Sequence, residues 1–140
     1  MVGTSTEIQC LCGEVRVELT GEPVAQFYCH CDDCQAVHSA AYVPVAMYPA
    51  RAVTVSRGSP VVWQLRTTPR STCAACGTRI FAEVPNIAVR TVCALLLPRG
   101  RFQPSFHMQC QYAVRPVRDE LPHFKGLPAP FGGADETMPW

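Results

Sequence analysis

Seven of the nine cysteines in this 140-residue chain fall into three tight groups. The first is Cys10-Leu11-Cys12-Gly13, the second Cys29-His30-Cys31-Asp32-Asp33-Cys34, and the third Cys73-Ala74-Ala75-Cys76-Gly77. Thiols at this spacing, with no secretory leader in view, point to metal rather than to disulfides. The odd total also fits a complete disulfide framework poorly. Zinc closes a structural site with four tetrahedral ligands and keeps a catalytic site open with three protein ligands. Seven thiolates therefore divide most naturally into four and three.

Backbone chemistry suggests which groups combine. A cysteine pair gripping one ion sits on a tight knuckle, and the residue after the second cysteine often needs positive φ, which glycine adopts without steric penalty. Gly13 follows Cys12 and Gly77 follows Cys76, whereas Cys34 is followed by Gln35. Each glycine-marked pair also leads into a β-patterned run. We therefore expect Cys10, Cys12, Cys73 and Cys76 to share one structural zinc, rather than a zinc ribbon built from Cys31, Cys34, Cys73 and Cys76. Such a clip joins segments about sixty residues apart.

Cys29, Cys31 and Cys34 are then left as a three-ligand set, the pattern of a catalytic zinc with an open fourth position. The alternative is a second structural site whose fourth ligand comes from Cys93, Cys110, His30, His38 or His107. Three thiolates around Zn²⁺ leave a net negative charge, so a bound water is acidified less than on a zinc held by neutral histidines, where its pKa falls to about 7. Hydrolysis is disfavoured, and a soft thiol is the better incoming ligand because coordination deprotonates it. His38, four residues after Cys34, could carry a proton beside the site; it reads equally as a supporting or surface histidine. Cys93 and Cys110 read as small buried hydrophobes. The zinc-deaminase signature, phosphate-binding glycine loops and the Gly-x-Ser-x-Gly elbow are absent from the sequence.

The elements that must position these groups look mainly β. Glu14 to Leu19 alternates strictly and puts Val15, Val17 and Leu19 on one face. Further strands are expected at Ala25 to Tyr28, Ala41 to Met47, Val53 to Ser56, Val61 to Arg66, Ile80 to Val84, Ile87 to Val92 and Phe106 to Tyr112. Gly21, Pro49, Gly58-Ser59-Pro60, Pro85-Asn86 and Pro98 punctuate them as turns. One short helical turn is expected from Asp32 to about Val37. Short strands at this spacing suggest a sandwich or barrel. The chain reads as a single zinc-binding β domain over residues 1–140, with an irregular tail from about Leu121, laid on the surface or frayed.

Composition excludes several classes of function. The formal net charge is +1 and only 16% of residues are charged, so there is no electrostatic footprint for nucleic acid. Lys125 is the only lysine, and the arginines are scattered without a dense run. Gln35 to Ala50 is uncharged but is broken by His38, Pro44 and Pro49, so no membrane span is expected. Met1 to Glu7 has neither a basic start nor an apolar run, so a signal peptide is not expected and the cytoplasm is the default location.

At these residues the sequence resembles the glutathione-dependent formaldehyde-activating enzyme family, which includes the centromere protein V relatives. The resemblance runs through Cys10-x-Cys12-Gly13, Cys29-His30-Cys31-x-x-Cys34 and Ser71-x-Cys73-x-x-Cys76-Gly77-Thr78-Arg79-Ile80-Phe81. It continues at His107 and at Asp119-Glu120-Leu121-Pro122-His123-Phe124. It implies a zinc-containing complex β-sandwich, or β-tent. It also implies a structural zinc on Cys10, Cys12, Cys73 and Cys76 and a labile or catalytic zinc on Cys29, Cys31 and Cys34. The activity it implies joins glutathione to formaldehyde, giving S-hydroxymethylglutathione, and is classed with the carbon–sulfur lyases. Gln35 stands where many members carry a basic residue, and His38-Ser39 where many carry Ser/Thr-Gly.

Three functions follow from the sequence. The first is a zinc-dependent lyase or transferase acting on a small thiol adduct. The second is a non-catalytic zinc binding module. The third is a thiol or metal sensor whose three-cysteine site loses its ion on oxidation. The sequence leaves the oligomeric state open.

Overall fold

The structure, a computed structural model, describes residues 4–140, with Pro85 described by its backbone alone. Met1–Gly3, part of the segment read for a leader and the first residues of the expected domain, lie outside the described residues. The fold is mainly β, with two sheets. In chain order the strands are β1 (Ser5–Gln9), β2 (Arg16–Thr20), β3 (Ala25–Cys29), β4 (Val43–Pro49), β5 (Val53–Arg57), β6 (Val61–Leu65), β7 (Thr68–Thr72), β8 (Arg79–Val84), β9 (Val89–Cys93) and β10 (Phe106–Met108). One α-helix, α1 (Asp32–His38), follows β3, and the remaining helical turns are short 3₁₀ segments. No described helix is long and apolar enough to cross a membrane.

The chain divides into two compact units. One contains the chain up to Ala25 together with Ala46–Phe102, and the other Gln26–Val45 with Gln103–Trp140. In the first unit β2 pairs antiparallel with β1 and with β5, setting Ile8 opposite Val17 and Leu19 opposite Val53. These four side chains are buried, while Glu7 and Glu18 face outward on the alternate positions. The expected Val15, Val17, Leu19 face is therefore the core face, but the strand begins at Arg16 rather than Glu14. The two preceding residues close a cysteine loop in which the Cys10 N–H donates to the Val15 carbonyl at 3.0 Å.

Strands β6 to β9 form an antiparallel succession in the same unit. Val15, Tyr48, Ile80, Phe81 and Val92 complete a core that also contains Cys10 and Cys73. Burying each large apolar side chain contributes roughly 1.5–3 kcal/mol. Two strands had no signal in the sequence. β1 (Ser5–Gln9) hides only Thr6 and Ile8 among polar residues. β7 carries Pro69, which sits opposite Gln64 but outside the register shared with β8, where no ladder N–H is needed.

In the second unit β10 pairs parallel with β3, placing Phe106 beside Phe27, His107 beside Tyr28 and Met108 beside Cys29. The rings of Phe27 and Phe106 stack at 5.1 Å, with Phe131 against both. The strand expected from Phe106 to Tyr112 ends at Met108. Gln109 turns into the left-handed region at φ 58, and Cys110–Tyr112 becomes a 3₁₀ turn. The tail is tied down by backbone hydrogen bonds rather than frayed. The Lys125 N–H donates to Glu136, the Met138 N–H donates to His123, and His123 is buried.

Candidate metal centres

The first unit holds two knuckles of the same design. In one, the Gly13 N–H donates to the Cys10 carbonyl at 3.1 Å; in the other, the Gly77 N–H donates to the Cys73 carbonyl at 2.9 Å. Both glycines lie in the left-handed region, at φ 80 and φ 78. A Cβ on Gly77 would meet nothing within 4 Å, so backbone conformation rather than space requires glycine there. The Leu11 N–H reaches across to the Thr78 hydroxyl at 3.2 Å and ties one knuckle to the other.

The four sulfurs of Cys10, Cys12, Cys73 and Cys76 lie within 4.8 Å of one another. Cys10 and Cys12 are separated by 3.6 Å and Cys12 and Cys73 by 3.7 Å. Four sulfurs at 2.3 Å around a tetrahedral zinc would be spaced by about 3.8 Å. The cluster therefore fits such an ion. Its electrostatics ask for one as well. The Glu14 N–H favours a Cys12 thiolate, but desolvation and the neighbouring thiols push Cys12 up to about 12. Hydrogen bonds from the Thr78 side chain and backbone hold Cys76 down to about 5. Thiols this close cannot all ionise without a cation among them.

The second unit holds the middle group. Cys29 ends β3 and is buried. Cys31 caps α1, its sulfur accepting from the Cys34 N–H at 3.2 Å, and Cys34 lies in the first turn with its sulfur 3.8 Å from that of Cys29. All three sulfurs lie within 4.8 Å of one another, so this group too could hold a metal ion. The neighbouring Cys31 and Cys34 thiols and burial raise Cys29 well above the usual thiol range. Among the described residues, no fourth Cys, His, Asp or Glu ligand atom joins the three at that spacing.

The residues considered as a fourth ligand are placed as follows. Cys93 ends β9 in the first unit. Cys110 is buried, and desolvation with the nearby Asp119 charge pushes its thiol up to about 12. His38 closes α1 and is half-buried. His30 and His107 are fully buried and face each other, His30 Nε2 lying 2.9 Å from His107 Nδ1. Gln35 is occupied by the protein itself. Its Nε2 donates to the carbonyls of His30 and Tyr112, each at 2.8 Å, and braces the cysteine loop.

A third cluster was not recognised in the sequence. His107 Nε2 lies 2.7 Å from Asp119 Oδ2, and His123 Nε2 lies 3.0 Å from Asp119 Oδ1 without hydrogen-bond geometry. Burial lowers both His30, to about 4, and His107, so both rings are neutral near pH 7. Asp119 stays ionised. Desolvation opposes this, but the His107 contact and the Leu121 N–H outweigh it. The sequence signals are the Asp119-x-x-x-His123 spacing and the resemblance at His107 and Asp119 to Phe124; neither places His107 beside Asp119.

Two sheets and three ordered cysteine motifs define a class, and comparison with known proteins gives it a name. The chain matches the family model described as glutathione-dependent formaldehyde-activating enzyme over residues 5–112, and it belongs to that family. Its fold is similar to the crystal structure of a Rhodobacter sphaeroides protein from a structural genomics programme. The TM-score is 0.56 at 20% identity, over 66% of this chain and 88% of that one. No curated protein matches the chain.

Proposed function

We propose that this protein is a zinc-dependent enzyme of the carbon–sulfur lyase type that joins a small thiol to an aldehyde, with glutathione and formaldehyde as the leading pair. Cys10, Cys12, Cys73 and Cys76 would hold a structural zinc, and Cys29, Cys31 and Cys34 a catalytic one. The observation that carries this reading is the inequality of the two sulfur groups: four ligand atoms in one, and three in the other with no fourth Cys, His, Asp or Glu atom at that spacing among the described residues. A zinc bound to the three thiolates supplies a soft Lewis acid that favours a substrate thiol as thiolate.

The chain's own residues do the rest. β3 and the first turn of α1 fix the three sulfurs, and Gln35 braces their loop through the His30 and Tyr112 carbonyls. In the reaction the thiol sulfur bonds to the carbonyl carbon, the C=O π pair moves to oxygen, and that oxygen takes the proton the thiol gave up. We assign the carriage of that proton to His38, which ends the helix bearing Cys34. Gln35 is neutral and held by two carbonyls, so a carboxylate on the thiol gains no cation from this position. Cysteines grouped at metal-ligand spacing suit a reducing, cytoplasmic setting.

The test is a screen of thiols against aldehydes, reading adduct formation by NMR exchange with zinc content measured on the same sample. Acceleration over the spontaneous rate that vanishes in Cys31→Ser and weakens in His38→Gln supports the reading. Fully zinc-loaded protein that accelerates no pair would make it a binding module.

A further inference from the structure

We propose that His107, Asp119 and His123 form a third metal site, for a borderline divalent cation such as zinc, cobalt or nickel, held by two imidazole nitrogens and one carboxylate. The site is prepared by the backbone. His107 and His123 are neighbours on a parallel bridge closed on both sides. The His107 N–H donates to the Pro122 carbonyl at 2.9 Å, and the Phe124 N–H donates to the His107 carbonyl at 2.9 Å. The two rings stack at 4.6 Å and 28°, and their Nε2 atoms lie 2.7 and 3.0 Å from opposite oxygens of Asp119. The Leu121 N–H donates to Asp119 Oδ1 at 3.1 Å and fixes the carboxylate. The three ligand atoms lie within 4.8 Å of one another.

A simple hydrogen-bonded triad does not account for the cluster. His123 is 95% buried, and its Nε2 lies 3.0 Å from the carboxylate but makes no hydrogen bond. A buried polar atom left without a partner calls for an explanation, and a bound ion is one. The far side of His107 offers an acceptor for the second ring N–H that a metal-binding histidine donates. Its Nδ1 faces His30 Nε2 at 2.9 Å, and a proton placed there frees the Nε2 lone pair for a cation. The Trp140 ring covers the cluster, 4.8 Å from His123 and 5.4 Å from His30. The Asp119 side chain is 33% exposed and provides the way in from solvent.

The donor set selects the ion. Calcium and magnesium require oxygen-rich shells, whereas two imidazoles with one carboxylate suit borderline first-row cations. The site also differs in kind from the sulfur groups, because Asp119 is its only anionic ligand. A cation here keeps a net positive charge.

Cobalt(II) titration of the full-length reduced protein tests the proposal. The thiolate-to-cobalt charge-transfer absorption reports the cysteine groups, and hyperfine-shifted imidazole N–H signals report the histidines. Wild-type protein is expected to take one equivalent beyond those accounted for by the thiolate absorption, with shifted imidazole protons. Asp119→Asn and His123→Gln should each weaken that equivalent beyond the roughly 10- to 100-fold that loss of an outer partner produces. The thiolate absorption should remain and doubles as a check of folding; should a variant lose it, the wild-type NMR signals decide. Unchanged stoichiometry in folded variants, or no shifted imidazole protons in wild type, overturns the third site. A missing thiolate absorption would instead count against the cysteine reading and leave this one standing.

Discussion

Cys12 and Cys73 are separated by sixty-one positions in the chain, yet their sulfurs lie 3.7 Å apart. Neither knuckle has a helix of its own to hold it, so an ion shared by both would act as a crosslink between distant segments. Structural zinc contributes roughly 10–16 kcal/mol of apparent binding energy in small zinc peptides. Cys73→Ser should therefore abolish cooperative unfolding or lower Tm drastically. Cys31→Ser should release one ion and keep most of the stability. Calorimetry with metal analysis on both variants checks this; equal thermal losses would reject the division of labour.

Gly77 and Gly58 are both left-handed but respond to different constraints. Gly77→Ala meets open space and pays only for the backbone conformation, about 1–2 kcal/mol. At Gly58 a Cβ would collide with the Glu14 carbonyl oxygen, so Gly58→Ala must displace the loop beside Val15. Urea titration should show a clearly larger loss for Gly58→Ala. The reverse order would mean that the Glu14 loop yields easily.

Gln35 spends its amide donors on two backbone carbonyls. Gln35→Glu places carboxylate oxygens against those carbonyls and should lose about 1–3 kcal/mol. Gln35→Lys keeps donors at the same place and adds a cation. It should fold, and with a carboxylate-bearing thiol such as glutathione it should lower KM more than it changes kcat. Steady-state kinetics against an uncharged thiol provides the control.

Tyr48 lies in the core of the first unit, and desolvation raises its phenol above the usual value of 10.0, with Arg101 pulling the other way. The folded state keeps this proton after the unfolded chain has released it. Its contribution is complete below pH 10 and is lost as pH climbs through the folded value. Tm should fall above pH 10 in wild type, and Tyr48→Phe should flatten that fall. Parallel curves would place the alkaline sensitivity in the thiols.

Much of this arrangement was legible in the sequence because the chemistry is local. The alternation from Val15 to Leu19 gave the core face. The glycines after Cys12 and Cys76 grouped four cysteines that the structure brings together, ahead of the more obvious pairing of Cys31 and Cys34 with Cys73 and Cys76. The acidic pair Asp32-Asp33 opens the short helical turn expected to about Val37, which is α1 with His38 added. What escaped depends on register between distant segments. β7 carries a proline and little apolar pattern. His107 meets Asp119 and His123 only because a parallel bridge and a bound tail set them side by side, and no spacing rule encodes that.

The placement of Trp140 gives the second unit a built-in optical gauge. The chain has two tryptophans; Trp63 is 66% exposed in the first unit, while Trp140 lies against the His30, His107 and His123 rings. Its emission should be bluer than that of Trp63. Nickel or cobalt entering beside His123 should dim that component selectively, so occupancy can be followed in unlabelled protein at micromolar concentration.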